Sequence, residues 1–261
     1  PGATIHYTLD GGVPSPTNGT PYAGAIPVST TTSIRAMAFK PGYLDSTVSA
    51  SSYLYPQDII NQPAVPAGFS ATWGGAGSSN TSMPGDYEMD PEVTTDPRFQ
   101  DKLEAALTQI PSITISMPEA DFFSPETGII SNSANNDKDG WTRACNAELI
   151  YPDGREGFDI NCGIRVVGGS SPAANFKTPK HSLRLKFQSE FGPGRLKVDT
   201  PIFPGSQSTS YNTLVLDARL NMTWYHSFSE YQREHAQYTR DQYANDLQNI
   251  LDGPSPHGFY A

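Results

Sequence analysis

The stretch CNAELIYPDGREGFDINC, Cys145–Cys162, holds a strong hairpin signal. Its middle, Asp153-Gly154, is a dipeptide favoured in tight β-turns. If the loop is centred on this dipeptide and has an even number of residues, the two residue numbers of every cross-strand pair add up to the same value. Cys145 then faces Cys162. Strand alternation then gives one face Cys145, Ala147, Leu149, Tyr151, Phe158, Ile160 and Cys162, and the other face Asn146, Glu148, Asp159 and Asn161. The pattern predicts an antiparallel sheet with one buried face.

The two cysteines face each other in this register. Directly opposed residues have Cβ atoms about 4.5–5.5 Å apart, which is near the reach of a disulfide. Two outcomes stay open, a cross-strand disulfide or two buried thiols. A disulfide would indicate an oxidising compartment.

Composition restricts the fold and the partners. The 261 residues suffice for two modest domains, and the 23 glycines and 23 prolines favour strands and turns over long helices. We therefore expect an α+β fold. The net charge of −10 argues against nucleic acid as a partner. No stretch approaches the roughly 20 apolar residues of a membrane helix, so membrane insertion is not expected.

The first 55 residues alternate apolar and polar positions between turn signals at Asp10-Gly11-Gly12 and Pro41-Gly42. Short strands separated by such turns predict a small antiparallel β-sandwich. The segments Ile5–Gly11, Ile34–Ala38 and Ser51–Tyr53, with Gly42, resemble the C-terminal β-sandwich module of chitobiases, which recurs in bacterial surface proteins. The resemblance implies an accessory or spacer role, with sugar binding as the alternative. It also implies a first strand before Pro1, so we expect a module clipped at its N-terminus.

Residues 56–95 have the Pro/Gly/Ser-rich composition of a linker, although Phe69 and Trp73 suggest that it is partly packed. A helix is then expected from Asp96, with Pro97 at its first position and an inward face of Phe99, Leu103, Ala106, Leu107 and Ile110. Pro111 ends this pattern, and residues 113–117 should form a strand.

The segment Gly168-Gly169-Ser170-Ser171 precedes an alternating run that carries Lys180, Arg184 and Lys186. Glycines let a backbone approach an anion, serines donate hydrogen bonds and a lysine adds positive charge. The residues alone leave two readings open, a phosphate-binding loop or a surface turn.

The order GIRVVGGSS, PKHSLRLKF, FGPGRLKVDTPIFP and YNTLVLDARLN resembles the CotH-type family of spore-coat and secreted kinase-like proteins, and the similarity extends over residues 90–261. The resemblance implies an atypical protein-kinase fold that uses ATP with Mg²⁺ or Mn²⁺ to phosphorylate secreted or surface proteins. By position it assigns nucleotide binding to Arg165, Gly168, Gly169, Ser170, Ser171, Lys180 and Arg184, with Asp246 as the carboxylate beside Lys180. Leu183 stands where the family has an aromatic residue.

The same resemblance predicts what is missing. The metal-holding Asp and Asn residues and the catalytic base would follow Ala261, so we expect an N-terminal lobe without catalysis of its own. Whether the parent protein is an enzyme stays open. The helix over residues 239–251 should turn Tyr243, Ala244, Leu247, Ile250 and Leu251 inward and supply Asp246.

A second ion-binding pattern is Asn135-x-Asp137-x-Asp139-Gly140, which copies the opening of a calcium loop. Position 12 of such a loop falls on Asn146 rather than on glutamate. Two interpretations of this segment therefore stay open, a calcium-binding loop and a solvated polar loop.

Together these patterns predict a fragment of a secreted or cell-surface bacterial protein. It would contain a clipped β-sandwich module at 1–55, a linker at 56–95 and a mainly antiparallel kinase-like lobe at 96–261. The alternative is a non-catalytic structural or binding protein of the cell surface that uses the same scaffold. The sequence does not indicate an oligomeric state.

Overall fold

A computed structural model describes residues 2–74, 82–135, 138–168, 181–218, 229–251, 257–259 and 261. The fold is mixed α+β, with antiparallel sheets and a few mostly short helices. In this described part of the chain, none of the helices is both long and apolar enough to span a bilayer. The predicted site residues Gly169, Ser170, Ser171, Lys180 and Asp137 lie outside the described residues.

The N-terminal residues form one four-stranded antiparallel sheet, called the N-terminal module below. Its strands are β1 (Thr4–Thr8), β2 (Thr20–Pro21), β3 (Thr32–Phe39) and β4 (Ser49–Tyr53), in the order β2-β1-β3-β4. The turn signal at Asp10-Gly11 lies just after β1, where Gly11 has a φ of 77° that favours glycine. Asp10 stabilises this turn because its Oδ1 accepts from the Gly12 amide at 2.9 Å.

The described residues between 56 and 95, which are 56–74 and 82–95, pack against the rest of the protein. They contain α1 (Pro56–Ile60), β5 (Thr72–Gly74), β6 (Ser82–Pro84) and α2 (Pro91–Thr94). The Trp73 ring is buried, stacks on Phe123 at 5.3 Å between centroids and donates from Nε1 to the Tyr87 hydroxyl at 2.8 Å. A segment with linker composition thus contributes an aromatic residue to the main core.

The long helix expected from Asp96 is wrong. The Asp96 carboxylate accepts from the Arg98 amide at 2.8 Å and closes a turn, and the helix, α3, spans only Leu103–Leu107. Leu103 and Leu107 are half-buried, whereas Ile110 is exposed. The Asp96 side chain caps one turn, in which the Gln100 amide donates to the Asp96 carbonyl, and a Phe99–Lys102 turn then interrupts the helical hydrogen-bond pattern.

The central sheet has five antiparallel strands in the order β13-β10-β9-β8-β7. They are β7 (Ser112–Ser116), β8 (Arg143–Ile150), β9 (Phe158–Val166), β10 (Leu183–Lys186) and β13 (Thr213–Leu216), and the short strands β11 (Leu196–Lys197) and β12 (Ser210–Tyr211) pair beside it. The predicted hairpin register is confirmed, since Cys145 pairs with Cys162 and Leu149 with Phe158. The predicted strand at 113–117 is confirmed within one residue as β7.

The central sheet has two unlike faces. Its core face is apolar and carries the buried residues Cys145, Ala147, Leu149, Phe158, Ile160, Cys162, Ile164, Val166, Leu185 and Leu214. Its outer face, made by the alternate positions, is mostly polar. The face assignment predicted for the hairpin is therefore confirmed.

Three further helices complete the described chain: α4 (Glu119–Phe123), α5 (Glu230–Glu234) and α6 (Arg240–Ile250). The inward face predicted for α6 is wrong, because Tyr243 and Ile250 are 70% and 77% exposed. The half-buried residues are instead Asp241, Gln242, Asn245 and Asn249, and the first three of these line a cavity against the core face. Helical spacing identified two faces, but it does not determine which one meets the sheet.

Candidate functional site

Three cations line up on the outer face of β9 and β10. We call Arg165, Arg184 and Lys186 the basic strip. Arg165 pairs directly with Arg184, and Lys186 pairs with Gly163. The Val167 amide donates to the Ser182 carbonyl at 2.9 Å, so by alternation Arg165 and Arg184 form a hydrogen-bonded pair, with Cα atoms about 5.5 Å apart. Like charges directly opposite each other are destabilising, which favours an anion between them.

Arg184 is the residue of the basic strip that has an unsatisfied hydrogen-bond donor. Its Nε is buried and, among the described residues, has no hydrogen-bond partner. A buried guanidinium N–H without an acceptor costs free energy, and a phosphate or carboxylate oxygen would satisfy it. Arg184 is therefore the side chain best suited to anchor an anion.

The predicted loop begins where β9 ends. Gly168, two residues beyond β9, has a φ of 127°, a backbone conformation that side-chain-bearing residues rarely adopt. The structure thus brings Arg165 and Arg184 together and gives Gly168 a glycine-specific conformation, while Gly169, Ser170, Ser171 and Lys180 lie outside the described residues.

Asp246 lies away from the strip. It is exposed on α6 and accepts from the Gln242 Nε2 at 2.6 Å. The α6 residues that line the cavity beside the central sheet are its neighbours Asp241, Gln242, Ala244 and Asn245, and Asp246 is not among the lining residues.

A cavity of about 1150 Å³ lies between the core face and α6. Aromatic rings such as Trp73 and Phe123 form its apolar wall, and His181, Asp217 and Asp241 supply polar groups. Burial lowers the pKa of His181 to about 4, so its imidazole is neutral at neutral pH. None of the described lining residues is Lys or Arg, and two are aspartates. This charge makes the cavity unsuited to a phosphate.

The N-terminal module covers the neighbouring part of the outer face, a contact that the sequence did not predict. The Ser52 backbone amide donates to Glu148 Oε2 at 2.8 Å, and the Ser52 hydroxyl donates to Thr114 Oγ1 at 2.9 Å. The side-chain Nδ2 of Asn161 donates to the Val48 carbonyl at 2.6 Å. The module therefore lies over β7 to β9, next to the basic strip. The polar face of the hairpin is the sequence feature that relates to this contact. A polar face is equally compatible with solvent and with a polar partner, so it did not predict the module.

The two cysteines lie close together on the core face. Their sulfurs are 3.6 Å apart and both side chains are buried. The hydrogen bond with Cys162, reinforced by burial, raises the pKa of the Cys145 thiol far above its ordinary value. Neither cysteine is in a disulfide in this structure.

The calcium pattern forms no assembled site in the described residues. The Asn135 side-chain oxygen accepts from the Lys138 ammonium at 2.7 Å, and Asp139 is exposed. No group of three or more His, Cys, Asp or Glu side chains in the described ranges is arranged to hold a metal ion.

Comparison with known proteins identifies the first module. The family model described as Fn3 associated matches residues 1–53. This match indicates a fibronectin-III-associated β module, compatible with the β-sandwich module expected from the sequence. No curated protein and no solved structure matches the chain.

Proposed function

We propose that this chain holds the phosphates of a nucleotide on a CotH-type kinase-like scaffold, in a secreted or cell-surface bacterial protein with an accessory β module. The observation that carries the proposal is the Arg165–Arg184 pair, two directly opposed cations on one sheet face with a buried, unpartnered Arg184 Nε. In an acidic chain of net charge −10, such a concentration of positive charge favours a specific anion.

The strip supplies the parts that phosphate binding requires. A guanidinium can donate two parallel hydrogen bonds to phosphate oxygens, and Lys186 adds charge one pair further along the strands. Lys180 would add a second ammonium, and Mg²⁺ or Mn²⁺ would neutralise the remaining phosphate charge. Secreted or surface proteins would be the phosphate acceptors of the parent protein.

A non-catalytic structural or binding protein is the second candidate. The observation that favours it is the polar docking of the N-terminal module on the face that carries the strip. Such docking would suit a rigid surface scaffold in which the cations hold an anionic partner without chemistry.

Calorimetry with ATP and Mg²⁺ tests the first proposal. The wild-type chain should give saturable heat, and Arg184→Ala should weaken binding by roughly 10- to 150-fold, because a hydrogen bond to a charged group contributes about 1.5–3 kcal/mol. Lys180→Ala should weaken binding in the same direction. Lys197→Ala removes an exposed cation from β11 and is the charge-matched control, with unchanged binding expected.

Two results would count against nucleotide binding. Absence of saturable heat from the wild-type chain would favour the hypothesis of a non-catalytic scaffold. Equal weakening by Arg184→Ala and Lys197→Ala would show that net charge, rather than the basic strip, attracts the nucleotide.

A further inference from the structure

We propose that Cys145 and Cys162 form a structural disulfide that is made while the chain folds and is then sealed inside the central sheet. The two residues are directly opposed on β8 and β9, and the chain contains no other cysteine. No competing pairing within one chain is therefore possible. This inference is independent of nucleotide binding.

The backbone geometry suits a cross-strand bridge. Even-numbered residues of β9 direct their backbone groups toward β8, so Cys145 and Cys162 are a hydrogen-bonded pair with Cα atoms about 5.5 Å apart. Disulfides span Cα separations of about 4.4–6.8 Å. The sulfurs, 3.6 Å apart as thiols, need to approach to about 2.05 Å, which side-chain rotation can supply without a change of register.

Burial determines when the bridge can form. The side chains of Cys145 and Cys162 are 4% and 0% exposed. The raised pKa of Cys145 keeps it protonated in the folded protein, and only a thiolate attacks a disulfide. Because both side chains are buried in the core, an external disulfide does not reach either sulfur in the folded protein. The bridge must therefore form before the core face of the sheet is packed, and a finished bridge is shielded from external thiols.

The chemistry requires an external oxidant of the small-molecule disulfide class. One cysteine thiolate attacks this disulfide, giving a mixed disulfide and releasing one thiol. The second cysteine thiolate then attacks the mixed disulfide and releases the second thiol. The two cysteines lose two electrons, the external disulfide gains them, and the two protons end on the released thiols.

Alkylation after oxidative refolding tests the bridge. The 261-residue chain is refolded with reduced and oxidised glutathione, unfolded in iodoacetamide and weighed by mass spectrometry. The expected product carries no alkyl group. Addition of two alkyl groups would overturn the proposal.

The melting temperature gives a second measurement. A 16-residue loop closed by the bridge predicts a melting temperature roughly 6–12 °C lower for protein that is refolded under reducing conditions. The double variant Cys145→Ala, Cys162→Ala should melt at the same temperature with and without reductant. Identical melting of oxidised and reduced wild type would contradict a structural role.

The timing is tested on protein folded in its reduced form. Incubated with oxidised glutathione under native conditions, it should keep both thiols, which alkylate only after unfolding. Rapid loss of both thiols in the native protein would overturn the claim that the bridge forms before burial.

Discussion

Glu148 links the two sheets through one carboxylate. Its Oε2 accepts from the Ser52 amide of the N-terminal module, while Asp159 lies directly opposite on β9. Burial is the main cause that raises the pKa of Glu148, and the Asp159 charge adds to it. The hydrogen bond from Ser52 acts in the opposite direction but does not cancel burial.

The sign of the resulting pH dependence follows. A carboxyl whose folded pKa lies above its unfolded pKa stabilises the fold when protonated, and that stability is lost as the pH rises through the folded pKa. Glu148→Gln removes this titration. We expect the variant's stability to fall less than the wild type's as the pH rises above the usual range of a glutamate pKa, as measured by urea unfolding.

The control for this experiment is Glu156→Gln, which changes an exposed carboxylate in the hairpin turn. It should leave the wild-type pH profile in place. A Glu148→Gln profile that parallels the wild type would show that titration of the half-buried Glu148 carboxyl does not control stability.

The hairpin depends on one glycine beyond its turn. A Cβ built at Gly157 would lie 1.8 Å from the Leu149 carbonyl oxygen, which is part of the opposite strand. The Leu149–Phe158 pair closes the ladder at this point. The strands can therefore approach to hydrogen-bonding distance only because residue 157 has no side chain.

Gly157→Ala should destabilise the protein by roughly 1–3 kcal/mol, because the backbone of β8 must move away. The free energy of unfolding in urea measures this loss. Glu156→Ala, at an exposed neighbouring position, should change it by less than about 0.5 kcal/mol. Equal stability of the two variants would contradict the close approach.

Prediction from sequence succeeded where the interactions are local. One turn dipeptide predicted the pairing of Cys145 with Cys162 and the two faces of the hairpin. The orientation of α6 was wrong because a two-faced helix can pack either way. The helix from Asp96 was wrong because a Phe99–Lys102 turn interrupts the helical hydrogen bonds before Leu103.

At the scale of the whole molecule, the N-terminal module packs against the central sheet. Hydrogen bonds join Ser33 to Ser116, Ser52 to Thr114 and Asn161 to Val48 across the contact. The residues that meet are separated by 62 to 113 positions, so no local pattern could predict them. The basic strip was partly predictable, but its position beside the module was not.

This contact predicts cooperative unfolding. Differential scanning calorimetry should show one transition for the 261-residue chain, because melting of either sheet would leave buried polar groups of the other without partners. Asn161→Ala removes one of these hydrogen bonds and should lower the midpoint temperature of the single transition. Two separate transitions in the wild type would instead identify the module as an independent spacer.

The central claim, that nucleotide phosphates bind at the basic strip, is tested most directly by NMR of the Arg184 Nε–H group. Its buried position should make the signal observable, and the Arg184→Lys variant assigns it by its loss. Titration with ATP and Mg²⁺ should shift this signal saturably. If ATP instead moves only signals from α6 and the cavity while the Arg184 signal stays fixed, the claim is contradicted.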